Sequence, residues 1–205
     1  MCSENEPSIA LMRRLGFHIE PNLHPRRPRP SQASALPGVI GTLCNPARLL
    51  MLRDDLLDIP VCALPDGYGL RWYEPGDERH WLDLQTPFYE PGRITAELFD
   101  RQYGRDRAPL RERMCFVSDA AGQPVATATA WHHDGFRDPA YGRIHWVAVA
   151  AALQGRGLGK ALLTATLSRL VELGHARAYL TTSWARPAAV RLYRSFGFRP
   201  ARDDA

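Results

Sequence analysis

No apolar run in this 205-residue chain approaches the ~20 residues that a membrane-spanning helix requires, so no membrane association is expected. The opening residues, Met1-Cys2-Ser3-Glu4-Asn5-Glu6, are acidic and lack the apolar segment of a secretory signal. Cysteine is sparse: Cys2, Cys44, Cys62 and Cys115 form no C-x-x-C pair and stand too far apart for a zinc pattern. No metal is expected, and isolated thiols without an export signal point to a reducing, cytoplasmic compartment. Their ordinary role is that of small buried side chains. Lysine occurs once, at Lys160, among 26 basic residues. These are balanced by 22 acidic residues with no long basic block, so nucleic acid is not an expected partner. The net charge of +4 is mild and favours a small anionic ligand instead. What is present, 45% hydrophobic and 23% charged residues, is the composition of a globular domain that can bury a core without staples.

Proline is unevenly spread. Residues 1–60 hold 8 of the 17, with Pro25, Pro28 and Pro30 in close succession. Proline fixes φ and removes a donor, so this stretch is expected to be an extended or partly disordered arm, followed by a folded domain over 61–205. Ile9–Phe17 echoes Val190–Phe198; the worn end of a lost duplicate domain would give this echo, but coincidence is the favoured reading, because helix–glycine–strand is a common local solution.

From residue 66 the pattern becomes regular. Strands are predicted over 69–74, 114–118, 125–131, 144–150 and 178–182, and helices over 76–84, 94–103, 158–173 and 188–196. Asp119–Gln123 reads as a hairpin turn, and Gly174 and Gly197 read as helix stops. Antiparallel strands followed by a strand–helix–strand unit give an α/β fold of the α+β type: a mixed sheet with helices on both faces.

Gln154-Gly155-Arg156-Gly157-Leu158-Gly159-Lys160-Ala161 lies between the apolar strand and the long helix. Three glycines at a helix start are unfavourable unless the backbone must approach something closely. The first turn of a helix has unpaired N–H groups and a partial positive charge, which suits a phosphate, and Arg156 and Lys160 add charge beside it. A Walker loop needs glycine at position 154 and a hydroxyl at position 161, where Gln154 and Ala161 stand. A dinucleotide fingerprint needs glycine at Lys160. What fits is Q-x-x-G-x-G.

That pattern, following Trp146-Val147-Ala148-Val149, resembles the GNAT superfamily of acetyl-CoA-dependent N-acetyltransferases. A second element, Ala189-Val190-Arg191-Leu192-Tyr193-Arg194-Ser195-Phe196-Gly197-Phe198, matches the family's A-[I/V]-x-L-Y-x-x-x-G-F in register. The resemblance spans roughly residues 64–199. It implies a mostly antiparallel central sheet with a splayed pair of strands binding CoA. The backbone of Val147, Ala148 and Val149 would pair with the pantetheine arm, the N–H groups of Gly155, Arg156, Gly157, Leu158, Gly159 and Lys160 would hold the pyrophosphate, and Gln154 would fix the loop. Tyr193 matches the tyrosine facing the CoA sulfur.

The attacking amine must be neutral, so a base is needed. His145 is the best candidate: an imidazole titrates near pH ~6.5, and strict strand alternation puts residue 145 on the face of Val147, two residues on. Glu90, His132, His133 and Asp134 are rivals. The expected function is acetyl transfer from acetyl-CoA to a small-molecule or peptide amine by direct attack in a ternary complex. The alternatives are a longer acyl donor or a non-catalytic acyl-CoA-binding module.

Two departures stand out. Arg186 occupies a position where many relatives have asparagine, and the chain ends where most continue into another strand. Three arrangements could serve that sheet edge: it is left open, it is covered by the N-terminal arm, or a second subunit completes it in a homodimer.

Overall fold

The computed structural model describes residues 48–132, 136 and 141–201. Expectations for residues 1–47, for His133 and for Asp134 lie outside the described residues. Seven strands form one sheet: β1 (Arg48–Arg53), β2 (Gly69–Trp72), β3 (Met114–Ser118), β4 (Pro124–Trp131), β5 (Tyr141–Val149), β6 (Arg177–Ser183) and β7 (Arg199–Pro200). Among the described residues five α-helices accompany it: α1 (Glu78–Gln85), α2 (Ala96–Tyr103), α3 (Leu110–Arg113), α4 (Leu158–Glu172) and α5 (Pro187–Ser195). The strand order is β2-β3-β4-β5-β6-β1-β7. Every pairing is antiparallel except β5 with β6, the pair joined by α4.

The boundary expected at residue 60 is corrected by β1. Arg48–Arg53 is an interior strand, paired with β6 through six residues and with β7 on its other side. The physical reason is local. No proline lies between Pro46 and Pro60, and Leu49-Leu50-Met51-Leu52 is apolar on both faces. Met51 is fully buried and Leu49 is 5% exposed, each worth roughly 1.5–3 kcal/mol of burial. The buried Arg53 side chain then ties this strand to the C-terminal turn, donating to the carbonyls of Asp55, Asp58 and Phe196 at 2.8, 2.7 and 2.6 Å. At that side of the sheet the N-terminal segment supplies a strand: β1 lies between β6 and the short β7.

Helix ends follow their caps. Thr95 accepts from the Leu98 N–H at 3.2 Å and opens α2, and Gly104 closes it at φ 78°. The start of α1 falls two residues later than expected. The Asp77 carboxylate accepts from the Glu74 N–H at 2.7 Å and pairs with Arg71 at 2.6 Å, so it holds the preceding turn and does not cap the helix.

The sheet separates two apolar layers. Trp81, Phe99, Met114 and Phe116 pack with α1 and α2 on one face. Leu163, Leu167, Leu180, Phe196 and Phe198 pack with α4 and α5 on the other. Cys115 is buried and free, as expected of a small core residue, and Cys62 is half-buried and free. Among the described residues no helix is long and apolar enough to cross a membrane.

Candidate active site

Strands β5 and β6 pair only at Tyr141–Arg177, Gly142–Ala178 and Arg143–Tyr179. Beyond Arg143 they diverge. The stretch of β5 from Ile144 to Val149 therefore has a partner strand on the β4 side alone. A cleft of about 440 Å³ fills the opening, lined from the α1–α2 side by Gln85, Tyr89, Gln102 and His145 and from the α5 side by Ala189 and Tyr193. An extended ligand could add to the exposed edge of β5 as a strand would.

The strand is also bulged. Thr127 pairs with Ala148 and Thr129 with His145, so Trp146 and Val147 together oppose Ala128. Trp146 sits at φ 51°, the left-handed region that a bulky residue avoids, at a cost of about 1–3 kcal/mol. Its surroundings hold it there. Gln85 Nε2 donates to the Trp146 carbonyl at 2.8 Å, and Trp146 Nε1 donates to Gln102 Oε1 at 3.0 Å. The indole also packs on Trp81 at 4.9 Å and Tyr89 at 5.6 Å.

The bulge corrects the alternation argument for His145. His145 pairs with Thr129 and faces α2, its ring 5.8 Å from Tyr103. Val147 packs with the clusters on the α4–α5 face. The two residues lie on opposite faces because the extra residue inverts the alternation. His145 nonetheless lines the cleft and is 6% exposed. Its Nε2 lies 2.9 Å from Gln102 Oε1, the oxygen that already accepts from the indole. An indole N–H only donates, so the amide orientation is fixed and His145 Nε2 must carry a proton.

At the other end of β5, Gln154 Nε2 donates to the Val149 carbonyl at 3.2 Å and anchors the loop. Gly155 and Gly157 adopt φ of 79° and 90°, which turn the chain into α4. Leu158 and Gly159 begin the helix, where N–H groups have no carbonyl one turn back. A Cβ on Gly159 would come within 3.0 Å of Leu192, so the glycine allows α5 to close over the loop. One refinement concerns Lys160: its N–H donates to the Gly157 carbonyl at 2.9 Å and is committed within the helix. The side chains of Arg156 and Lys160 are exposed beside the turn.

Tyr193 lines the cleft from α5 and is 8% exposed. Burial pushes its phenol up to about 12; Arg186 opposes this and Tyr89 adds to it. Arg186, at the asparagine position, turns toward the opposite wall, its guanidinium 5.1 Å from the Tyr89 ring centre and 3.4 Å from the Phe88 carbonyl. Glu90 is exposed and pairs with Arg93 at 3.9 Å, outside the residues that line the cleft. His132 packs on Trp131 and is also absent from the lining.

Sequence reasoning missed Gln85, Gln102, Arg48 and Arg143. A signal existed for two of them. Gln85 follows Trp81 by four residues and Gln102 follows Leu98 by four, so each is an amide on the apolar stripe of its helix. A polar group on such a stripe must find a partner, and both find Trp146.

Comparison with known proteins agrees with this architecture. The profile of the Acetyltransferase (GNAT) family matches residues 78–198. A mycothiol acetyltransferase of Pseudarthrobacter chlorophenolicus is 34% identical over 157 residues, covering 69% of this chain and 45% of the relative. One of Thermobispora bispora is 35% identical over 157 residues, covering 72% and 52%. The chain thus spans about half the length of the curated relatives it matches. Among solved structures, a GCN5-related N-acetyltransferase from Sphaerobacter thermophilus superposes with a TM-score of 0.63 at 23% identity, covering 75% of this chain and 48% of that one. A glucosamine-6-phosphate N-acetyltransferase from Arabidopsis thaliana gives 0.52 at 21% identity, covering 67% and 95%. These two show the fold. The matched stretch begins with α1 and ends on the residue before β7, and the chain belongs to the GNAT acetyltransferase family.

Proposed function

We propose that this protein transfers an acetyl group from acetyl-CoA to a primary amine by direct attack within a ternary complex. The observation that carries the reading is the parting of β5 from β6 beyond Arg143, beside a helix start opened by glycines with left-handed φ. Val147, Ala148 and Val149 present a strand edge to the pantetheine arm. The N–H groups of residues 155–159 suit the pyrophosphate, with Gln154 anchoring the turn and Arg156 and Lys160 adding charge. Bound there, acetyl-CoA supplies an activated acyl carbon.

The chain's own groups then have distinct tasks. The Val147 N–H polarises the carbonyl. Tyr193, from the α5 side, donates to the departing sulfur. The acceptor occupies the α1–α2 side, where His145 takes the amine proton at Nδ1, the ring nitrogen left with a lone pair when Nε2 is protonated. Holding both reactants in line supplies much of the rate.

Isothermal titration of the folded protein with acetyl-CoA tests the reading. Gly157→Ala forces a side chain into the left-handed region, at about 1–2 kcal/mol, and is expected to weaken binding roughly tenfold. Absence of any acetyl-CoA binding to folded wild-type protein sinks the proposal. Turnover is then read as free thiol release across a panel of amines.

A further inference from the structure

Among the described residues, the acceptor side of the cleft carries positive charge with no carboxylate to balance it. Strand register fixes which residues share that face. Arg48 pairs with Ser183, Leu50 with Thr181 and Leu52 with Tyr179 across β1 and β6. Arg143 pairs with Tyr179 across β5 and β6, and with Trp131 across β4 and β5. Paired residues point the same way, so Arg48, Arg143, Thr181 and Ser183 all project to the face occupied by His145. All of them line the cleft, and among the described residues no aspartate or glutamate does.

Arg143 is the telling residue. Its Nε is buried without a hydrogen-bond partner. Its guanidinium lies 5.8 Å from the Tyr179 ring centre and has no carboxylate neighbour among the described residues, and its pKa is lowered first by burial, with Arg48 acting in the same direction. A half-buried guanidinium without a counter-charge is costly, and one beside a second arginine more so. Arg53 donates to three carbonyls, and Arg71 pairs with Asp77 through both terminal nitrogens; the Arg169 Nε is likewise buried without a partner, but that guanidinium pairs with Glu172 at 2.9 Å. Arg143 has no such pairing among the described residues and faces an open cavity.

We infer that Arg143 and Arg48 form an anion subsite in the acceptor half of the cleft, and that the acceptor is an amine bearing a carboxylate or phosphate. Guanidinium is well matched to both groups through paired N–H donors, and the hydroxyls of Thr181 and Ser183 lie on the same face to share the remaining lone pairs. The anion would fix the acceptor at one end and leave its amine directed at the strand bulge beside His145. The inference rests on the acceptor using the α1–α2 side, as proposed above. A dicarboxylic acyl group on the donor would bring the same chemistry from the other substrate.

The test is a comparison of matched amines by calorimetry on CoA-saturated protein, independent of turnover: glucosamine 6-phosphate against glucosamine, and phenylalanine against phenylalaninamide. The anionic member of at least one pair is expected to bind about tenfold or more tightly. That gap is expected to close to within about threefold in Arg143→Gln. Arg48→Gln, at an exposed strand end, is expected to narrow the same gap and serves if Arg143→Gln does not fold. Equal binding within both pairs, a gap that survives both substitutions, or no binding by any probe overturns the inference. A succinyl-CoA arm separates the two sources: arginine-dependent preference for succinyl-CoA over acetyl-CoA, with equal binding of the paired amines, also overturns it. If acetyl-CoA binds and the pairs do not differ, the acetyltransferase reading stands while the subsite falls. If acetyl-CoA does not bind, that reading fails on its own account, and the pairs are compared on unliganded protein.

Discussion

Replacing Tyr193 with phenylalanine removes one hydroxyl from a side chain that is 8% exposed and leaves its packing in place, including the edge contact with Phe198 at 6.2 Å. With burial pushing the phenol up to about 12, Tyr193 is protonated at any working pH. A thiol ordinarily titrates near ~8.5, so complete proton transfer to the leaving thiolate would run uphill by roughly 3.5 pKa units, on the order of 5 kcal/mol. On the proposed mechanism the phenol therefore serves as a hydrogen-bond donor to developing charge, with an expected contribution of about 10²–10³ in kcat. The expected result for Tyr193→Phe is a kcat lower by that factor, with KM for acetyl-CoA within about threefold, because the interaction strengthens only as the bond breaks. The assay is thiol release at saturating amine over pH 6–10. The phenol contributes no alkaline limb below pH ~10, whereas an acid limb that disappears in His145→Gln is the expected signature of the proposed histidine base. Activity of Tyr193→Phe within about threefold of wild type refutes the role, as does an alkaline limb near pH ~9 that disappears in the variant. A folded variant that binds acetyl-CoA normally yet shows the same low turnover as wild type would favour the non-catalytic alternative.

Two further predictions concern stability. Arg53→Met removes three charge-assisted bonds and orphans the buried Phe196 carbonyl, so unfolding in urea is expected to show a loss of about 2–4 kcal/mol; a change below about 0.5 would mean that the β1–β7 seam does not depend on it. Burial alone would raise the pKa of Asp77, but Arg71 and the Glu74 N–H outweigh it and hold the carboxylate low. A lowered folded-state value means that the stabilisation is complete above the unfolded value near ~3.9 and is lost as pH falls through the folded one. Asp77→Asn should accordingly lower the melting temperature at pH 7 and flatten its acid dependence below pH ~4; an unchanged acid slope would contradict the assignment.

The C-terminal half of the fold was legible in sequence because its signals are local. The glycines between residues 154 and 160 and the leucine spacing of α4 each state their conformation within a few residues. Gln154 was singled out in the same stretch; Tyr193 came from its match to the family motif, and His145 from an alternation argument that the bulge overturns although the residue does line the cleft. What escaped depends on distant partners. β1 was hidden by the prolines around it and becomes a strand only because β6 and β7 flank it. The bulge at Trp146 has no glycine to announce it, and the left-handed turn persists because Gln85 and Gln102, from two helices far back in the chain, hold it. Arg143 and Arg48 are unremarkable in sequence and share a face only through the register of three strands.

The position of β1 has a practical corollary. Its pairing partners, residues 178–183 and 199–200, are among the last described segments of the chain. A fragment trimmed at residue 60, where proline density invites a cut, would lose the slat next to the sheet's last strand, cast β7 loose and bare the flank of β6. Such a fragment is expected to aggregate through that flank. Any expression boundary or fusion joint should therefore be placed upstream of Arg48.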